Sequence, residues 1–310
     1  MQRVHLNAVL IVCSIKVGGG QLFDYQVVAI DDGSSDSSLQ ILTELSACNE
    51  RLLVLHKDNG GAASARKYGI EQSESDFIAF CDSDDWVEPD YLLNMYEYLK
   101  RADADMLVSG ITTKETLSKS GPYEYLIWKG DEIFKRFFEH IYLTGIMCGN
   151  LYRRFLFESL DWNLNMAIYE DGFLQWQILQ RVKLLVKLQT TQYHYIQNCA
   201  SQCHSTSLRK VHECKKILLD RIVSDCSQKG MEQFGEEAMR MRWKWFYGDL
   251  YSMLSSGQKL SDEKEIKHFV REYATKYLKT ITRTGNRFRA IIAIYFPLLL
   301  QIAYRIKYRR

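Results

Sequence analysis

Phe77-Ile78-Ala79-Phe80-Cys81-Asp82-Ser83-Asp84-Asp85-Trp86 is the stretch whose reading decides the fold: an apolar run enters directly on the carboxylates of Asp82, Asp84 and Asp85. A short apolar run bounded by polar residues reads as a buried strand, so the acids sit at its carboxyl end. Carboxylates this close repel one another unless a hard cation or a donor-rich ligand lies among them. Oxygen ligands at a strand end suit Mg²⁺ or Mn²⁺. The first expectation is a metal site.

A second strand end repeats the arrangement. Residues 25–30 (Tyr-Gln-Val-Val-Ala-Ile) run into Asp31-Asp32-Gly33-Ser34-Ser35-Asp36, and a helical stretch follows over 38–45. Further strands are predicted at 52–56, 76–81 and 106–110, with helices between them; the last begins near Glu88-Pro89-Asp90, with proline at a favoured first-turn position. That alternation argues for an α/β unit with a mostly parallel sheet, in which ligands gather outside the carboxyl ends of the strands.

The motifs then form an ordered set: Asp31-Asp32-Gly33-Ser34-Ser35-Asp36; His56-Lys57-Asp58-Asn59-Gly60-Gly61 with Ser64, Ala65, Arg66 and Gly69; Phe80 to Trp86; Gly149-Asn150-Leu151-Tyr152-Arg153-Arg154; Tyr169-Glu170-Asp171; and Tyr193-His194-Tyr195. In order and spacing this set resembles the signatures of family 2 glycosyltransferases of the GT-A fold, of the bacterial surface-polysaccharide type. The likeness covers roughly residues 25–207, about three fifths of the chain. It implies a nucleotide-diphospho-sugar transferase domain over 1–207, with an atypical or truncated first strand and helix in 1–24, and a helical carboxyl-terminal region over 208–310.

The resemblance also implies roles. Asp84 would be the metal ligand on the donor diphosphate, with Asp82 near the donor ribose and the metal, the alternative for both being a solvated turn. Asp32 would recognise the nucleotide base beside Asp31; the plain alternative is that these acids cap and solubilise the turn. Gly33 lets the chain turn, and Ser34 or Ser35 can cap the helix after it. Arg66 is the natural counter-charge to a donor phosphate or to the metal-site acids. Asp171 is assigned as general base and Glu170 as its support, although acids at a helix start are favoured by the dipole in any case. Asp85 reads as the cap of the helix after Pro89 or as a partner of the neighbouring acids. His194 and Ser201 fall where the family closes over the diphosphate; a buried structural histidine reads equally well. The implied cofactors and partners are Mn²⁺ or Mg²⁺, a UDP-sugar donor, and a glycan or lipid-linked acceptor, in a cytoplasmic enzyme.

Composition bounds these readings. The 310 residues are 46% hydrophobic and carry 40 basic against 38 acidic groups, a formal charge of +2 that gives no sign of a nucleic-acid partner. The eight cysteines lack the dense spacing of a disulfide scaffold and read as reduced thiols. Cys199, Cys203, His204, His212 and Cys214 lie close together but lack the usual zinc-site spacing. An export signal at the amino terminus, where Arg3 precedes an apolar run, is the minority reading. Near the carboxyl end, the 15 residues 290–304 are apolar, interrupted by Pro297 and flanked by Arg287, Arg289, Arg305, Lys307, Arg309 and Arg310. They are shorter than the ~20 residues that cross a bilayer. Peripheral contact of 287–310 with the inner face of the cell membrane and packing as an ordinary helix both remain open.

One departure from the family stands out. The family opens on a strand ending in Pro-x-Tyr-Asn and a helix of about three turns, and no Pro-x-Tyr-Asn precedes Tyr25. If residues 8–15 are that first strand, only 16–24 remain before the next, fewer than the about 10–12 residues that a parallel crossover needs. Alternatively, Cys13-Ser14-Ile15 is a remnant of the helix and the true first strand is absent or altered; on either reading part of the floor under the base is lost. Two rivals follow: a nucleotidyltransferase, for which Gly18-Gly19-Gly20 has only Lys16 as a basic neighbour, and a degenerate non-catalytic GT-A protein acting as a binding module.

Overall fold

The computed structural model describes residues 9–17, 23–114, 122–139, 146–163, 165–196, 206–228 and 230–256, with isolated positions beyond. The chain divides into two compact units, Met1–Ser201 and Gln202–Arg310.

The first unit is built on β1 (Val9–Val17), β2 (Phe23–Asp32), β3 (Leu52–Lys57), β4 (Phe77–Asp82), β5 (Trp86–Val87), β6 (Met106–Thr112), β7 (Tyr125–Lys129), β8 (Asn150–Arg153) and β9 (Leu184–His194). Its helices are α1 (Ser38–Ala47), α2 (Ala62–Glu71), α3 (Tyr91–Ala102), α4 (Asp131–Glu139) and α5 (Glu170–Leu179). The sheet order is β3-β2-β1-β4-β8-β6-β9-β5, with β7 also on β9. The strands anticipated at 25–30, 52–56, 76–81 and 106–110 are β2, β3, β4 and β6, and all four run in one direction. The sheet itself is mixed: β2/β3 and β6/β9 pair in parallel, while β1 and β8 are inserted antiparallel between strands of the common direction. The late segment Leu184–His194 is one continuous strand, β9.

The inserted β1 is an altered first strand: residues 9–17, Cys13, Ser14 and Ile15 among them, form a strand that is not parallel to its neighbours. Val9 pairs with Asp31 and Val17 with Phe23 along β2, and Leu10 pairs with Asp82 along β4, so β1 runs against both neighbours. Too few residues separate β1 from β2 for a crossover, but an antiparallel neighbour needs none.

Alternation of side chains across the strands explains how the unit is layered. Phe77 and Ala79 of β4, Leu107, Leu151, Val186 and Leu188 face α3 and bury Tyr91, Met95 and Leu99. On the opposite side of β4, Ile78 is buried and Phe80 joins Tyr152 and Phe157 in an aromatic cluster with ring centroids 5.3–6.1 Å apart. Helix α5 is buried along 172–179, and Tyr152 Oη donates to Gln175 Oε1 at 2.9 Å. An apolar helix buried on nearly all sides is a core element. Asp82 continues the Ile78 and Phe80 face, which is the face that Gln175 of α5 meets.

Helix starts differ from expectation in detail. The residue before α1 is Ser37, not Ser34 or Ser35, and the side chain that serves this end is Asp36, which accepts from Ser38 N–H at 2.9 Å. Helix α3 begins at Tyr91 after Asp90, so Pro89 precedes the cap and Asp85 is not the cap. Helix α5 starts at Glu170, which puts both acids in its first turn.

The second unit contains α6 (Leu208–Asp225) and α7 (Gly235–Ser256). Cys214, Leu218 and Ile222 of α6 are buried, as are Trp243 and Phe246 of α7. His212 Nδ1 lies 2.6 Å from Asp249 Oδ2, and Lys215 pairs with the other oxygen of Asp249. Cys199, Cys203, His204 and most of 287–310 lie outside the described residues. Among the described residues no helix is long and apolar enough to cross a membrane.

Candidate active site

At the end of β2, Asp31 and Asp32 are both buried and both engaged by neighbours from β3 and its loop. Asp31 Oδ2 lies 2.7 Å from His56 Nδ1, while Asp31 Oδ1 is buried without a partner. Asp32 accepts from Lys57 Nζ at 2.6 Å, from Gly60 N–H at 3.0 Å and from Gly61 N–H at 2.8 Å. Asn59 Nδ2 donates to the Asp32 carbonyl at 2.9 Å. The His56 to Gly61 motif is therefore the clamp on Asp32. It needs its glycines: Gly61 has φ +82°, and a Cβ on Gly60 would come within 2.9 Å of Ser64 Cβ.

The second group forms around Arg66 of α2, which is 3% exposed. Its Nη1 donates to Asp171 Oδ1 and, at 3.2 Å, to Glu170 Oε1; its Nη2 donates to Asp82 Oδ1 at 3.3 Å. Residues more than a hundred positions apart are thus brought together by one guanidinium, and three carboxylates share a single cation. Its Nε is buried without a partner. Met147 N–H donates to Asp171 Oδ2 at 3.2 Å. Burial pushes the Asp171 carboxyl up to about 8 against the pull of Arg66, with Glu170 and Asp82 pushing the same way as burial. The nearby Cys148 thiol is likewise pushed well up by burial.

Asp82 and Asp84 stand on the turn after β4. The Asp82 side chain is 38% exposed, so its carboxylate opens to solvent at the strand end. Among the described residues no group of three or more His, Cys, Asp or Glu is gathered as a metal site. Two carboxylates, one of them open to solvent, nevertheless match the protein share typical of Mg²⁺-type sites, where substrate phosphates and waters complete the shell.

Tyr193 was readable only as part of the Tyr193-His194-Tyr195 motif, with no role of its own. It is fully buried, and its hydroxyl lies between Asp82 N and Asp85. That contact has no mark in the sequence, because it depends on an irregularity in the β6/β9 pairing near Gly110. Asp85 faces Tyr193 and Ile196 N–H, and burial pushes it up to about 7, opposed by those two hydrogen bonds. His194 is buried: Nε2 meets Glu88 Oε1 at 2.8 Å, Nδ1 meets the Lys114 carbonyl at 2.7 Å, and the ring stacks on Trp86 at 3.5 Å. With both nitrogens engaged, its place is structural. Ser201 lies outside the described residues.

An α/β unit with paired acids at its strand ends, facing a buried helix that begins on two more acids, has the build of a nucleotide-diphospho-sugar transferase of the GT-A fold. Residues 14–161 match the family described as glycosyl transferase family 2. The chain is 28% identical over 184 residues to glycosyltransferase GlyA of Streptococcus pneumoniae, covering 55% of this chain and 26% of GlyA. It is 30% identical over 181 residues to the putative glycosyltransferase EpsH of Bacillus subtilis, covering 55% of this chain and 52% of EpsH. The chain thus spans about half the length of one and a quarter of the other. Among solved structures, S. aureus TarS 1-349 is similar at TM-score 0.61 and 16% identity, covering 92% of this chain and 82% of that one. TarS 1-349 has also been solved in complex with UDP-GlcNAc.

Proposed function

We propose that this chain transfers a sugar from a UDP-sugar to an acceptor hydroxyl by a single inverting displacement, in the assembly of a bacterial surface glycan. The observation that carries this reading is the Arg66 cluster, which sets Asp82 beside Glu170 and Asp171 at the strand ends. In the proposed reaction Asp171 takes the proton of the acceptor hydroxyl. The acceptor oxygen forms a bond to the anomeric carbon as the bond to the diphosphate breaks, and UDP leaves. The raised Asp171 suits this task, since a base works best when its proton affinity is near the working pH. Glu170 supports it through Arg66. Asp84 and Asp82 would hold Mn²⁺ or Mg²⁺, which when bound neutralises charge on the leaving diphosphate.

Asp31 and Asp32 are proposed to border the nucleotide base, with the Asp32 carboxylate shaping the loop of Gly60 and Gly61. UDP is proposed as the nucleotide because a neighbour of the same fold takes UDP-GlcNAc. We also propose that the transferase domain spans 1–207 and the helical region 208–310, that the enzyme works in the cytoplasm where its donor is, and that the basic apolar segment 287–310 meets the membrane surface carrying a lipid-linked acceptor.

Calorimetric titration of UDP and a panel of UDP-sugars, with and without Mn²⁺, tests the reading. Mn²⁺-dependent binding that Asp84→Ala abolishes is the expected result. Binding that is indifferent to both metal and Asp84 would sink the assignment of the site.

A further inference from the structure

The turn carrying Asp82 and Asp84 is anchored by a side chain that the proposed chemistry does not use. Asp82 N–H donates to Tyr193 Oη at 3.1 Å, and Tyr193 Oη–H donates to Asp85 Oδ2 at 2.5 Å. Asp85 Oδ1 accepts from Ile196 N–H at 2.8 Å, and Asp85 N–H closes the turn on the Asp82 carbonyl at 3.1 Å. A hydroxyl placed in a core costs free energy unless its donor and acceptor are used, and here both are.

The backbone is arranged to deliver this hydroxyl. Between Val108 and Ile111 the register of β6 on β9 shifts, so that Gly110 faces Thr191 and Ile111 faces Tyr193. A Cβ at Gly110 would lie 2.8 Å from the Thr190 carbonyl, so the close approach requires glycine. Irregularities of this kind re-aim side chains near active sites.

We infer that Tyr193 and Asp85 are positioning residues that hold the Asp82–Asp84 turn in the shape that receives a divalent cation with the donor diphosphate, and that tie this turn to the chain leaving β9. The inference rests on the reading above. Two carboxylates one residue apart converge on one ion only when the turn between them is fixed, so the anchor acts on cation affinity and not on proton transfer.

Tyr193→Phe removes one oxygen and leaves the ring in place. Two readouts follow in this variant and in Asp85→Asn, which serves if the first fails to fold. The first is hydrogen exchange at the Asp82 and Asp85 amides, expected to quicken about tenfold while Phe80 is unchanged, as loss of roughly one hydrogen bond dictates. The second is UDP binding across a Mn²⁺ series, with the half-saturating Mn²⁺ concentration raised about tenfold and binding restored at high Mn²⁺. Unchanged exchange at both amides in a folded variant overturns the inference. So does a Mn²⁺ requirement equal to that of the parent chain. Quickened exchange in the variants, together with a parent chain that binds UDP without Mn²⁺, would keep the anchor and overturn the cation it is proposed to serve, which locates the failure in the functional reading.

Discussion

The two acidic strand ends of the first unit are wired in opposite ways. At the end of β2, Asp32 has its own lysine and two backbone N–H groups, and Asp31 has His56. At the end of β4, Asp82, Glu170 and Asp171 share one cation among the described residues, Arg66. The first arrangement is locally balanced and stiff. The second is short of positive charge, and burial of Asp171 magnifies the deficit. A site that is balanced by itself suits shape recognition, and one that lacks a positive charge is ready for a cation and a proton.

The largest effect that would break this contrast is chemical. Asp171→Asn should lower kcat by about 10²- to 10⁴-fold, the usual range for a positioned base, with UDP affinity nearly unchanged. The parent chain should gain activity as pH rises toward about 8, and that limb should disappear in the variant. The sign for stability is opposite. The Asp171 carboxyl is raised from 3.8 to about 8, so the folded chain keeps a proton that the unfolded chain releases. Its stabilising contribution is complete below about pH 4 and is lost as pH rises through about 8, so Asp171→Asn should be at least as stable as the parent at pH 8. A variant that loses activity together with stability would make Asp171 structural instead.

Arg66→Gln comes next in size. It leaves three acids around a buried position without their cation, a change that typically costs about 3–5 kcal/mol. Urea unfolding at pH 8 should show that loss, with a smaller one at pH 5 where Asp171 takes up a proton. An equal loss at both pH values would mean that Arg66 acts by packing alone.

This contrast was only half legible in the sequence. The acids at both strand ends and the pair before α5 were readable because each follows a short apolar run or opens a helical one. Arg66 was readable as a counter-charge, but the choice between phosphate and acids was not, since it depends on α5 covering the face that Asp82 continues from Ile78 and Phe80. The direction of β1 escaped for a related reason: the short link before β2 excludes a crossover, yet only the slot between β2 and β4 says where an antiparallel strand would go. Tyr193 was readable as part of a motif, but its contact with the Asp82 turn was not, because the β6/β9 irregularity that aims it has no local signature beyond one glycine.

The smallest expected effect lies at the balanced end. Lys57→Ala removes one of three donors to Asp32, but the Gly60 and Gly61 amides remain, and Lys57 is itself 21% exposed. A partly exposed ion pair is worth about 1 kcal/mol or less. Hydrogen exchange at Gly60 and Gly61 should therefore quicken by only about fivefold, because the loop keeps its turn through Asn59 Nδ2 and the Asp32 carbonyl. Loss of the whole loop in Lys57→Ala would mean that the β2 end depends on a single cation just as the β4 end does, and the distinction between a self-balanced recognition end and a charge-deficient reacting end would fall.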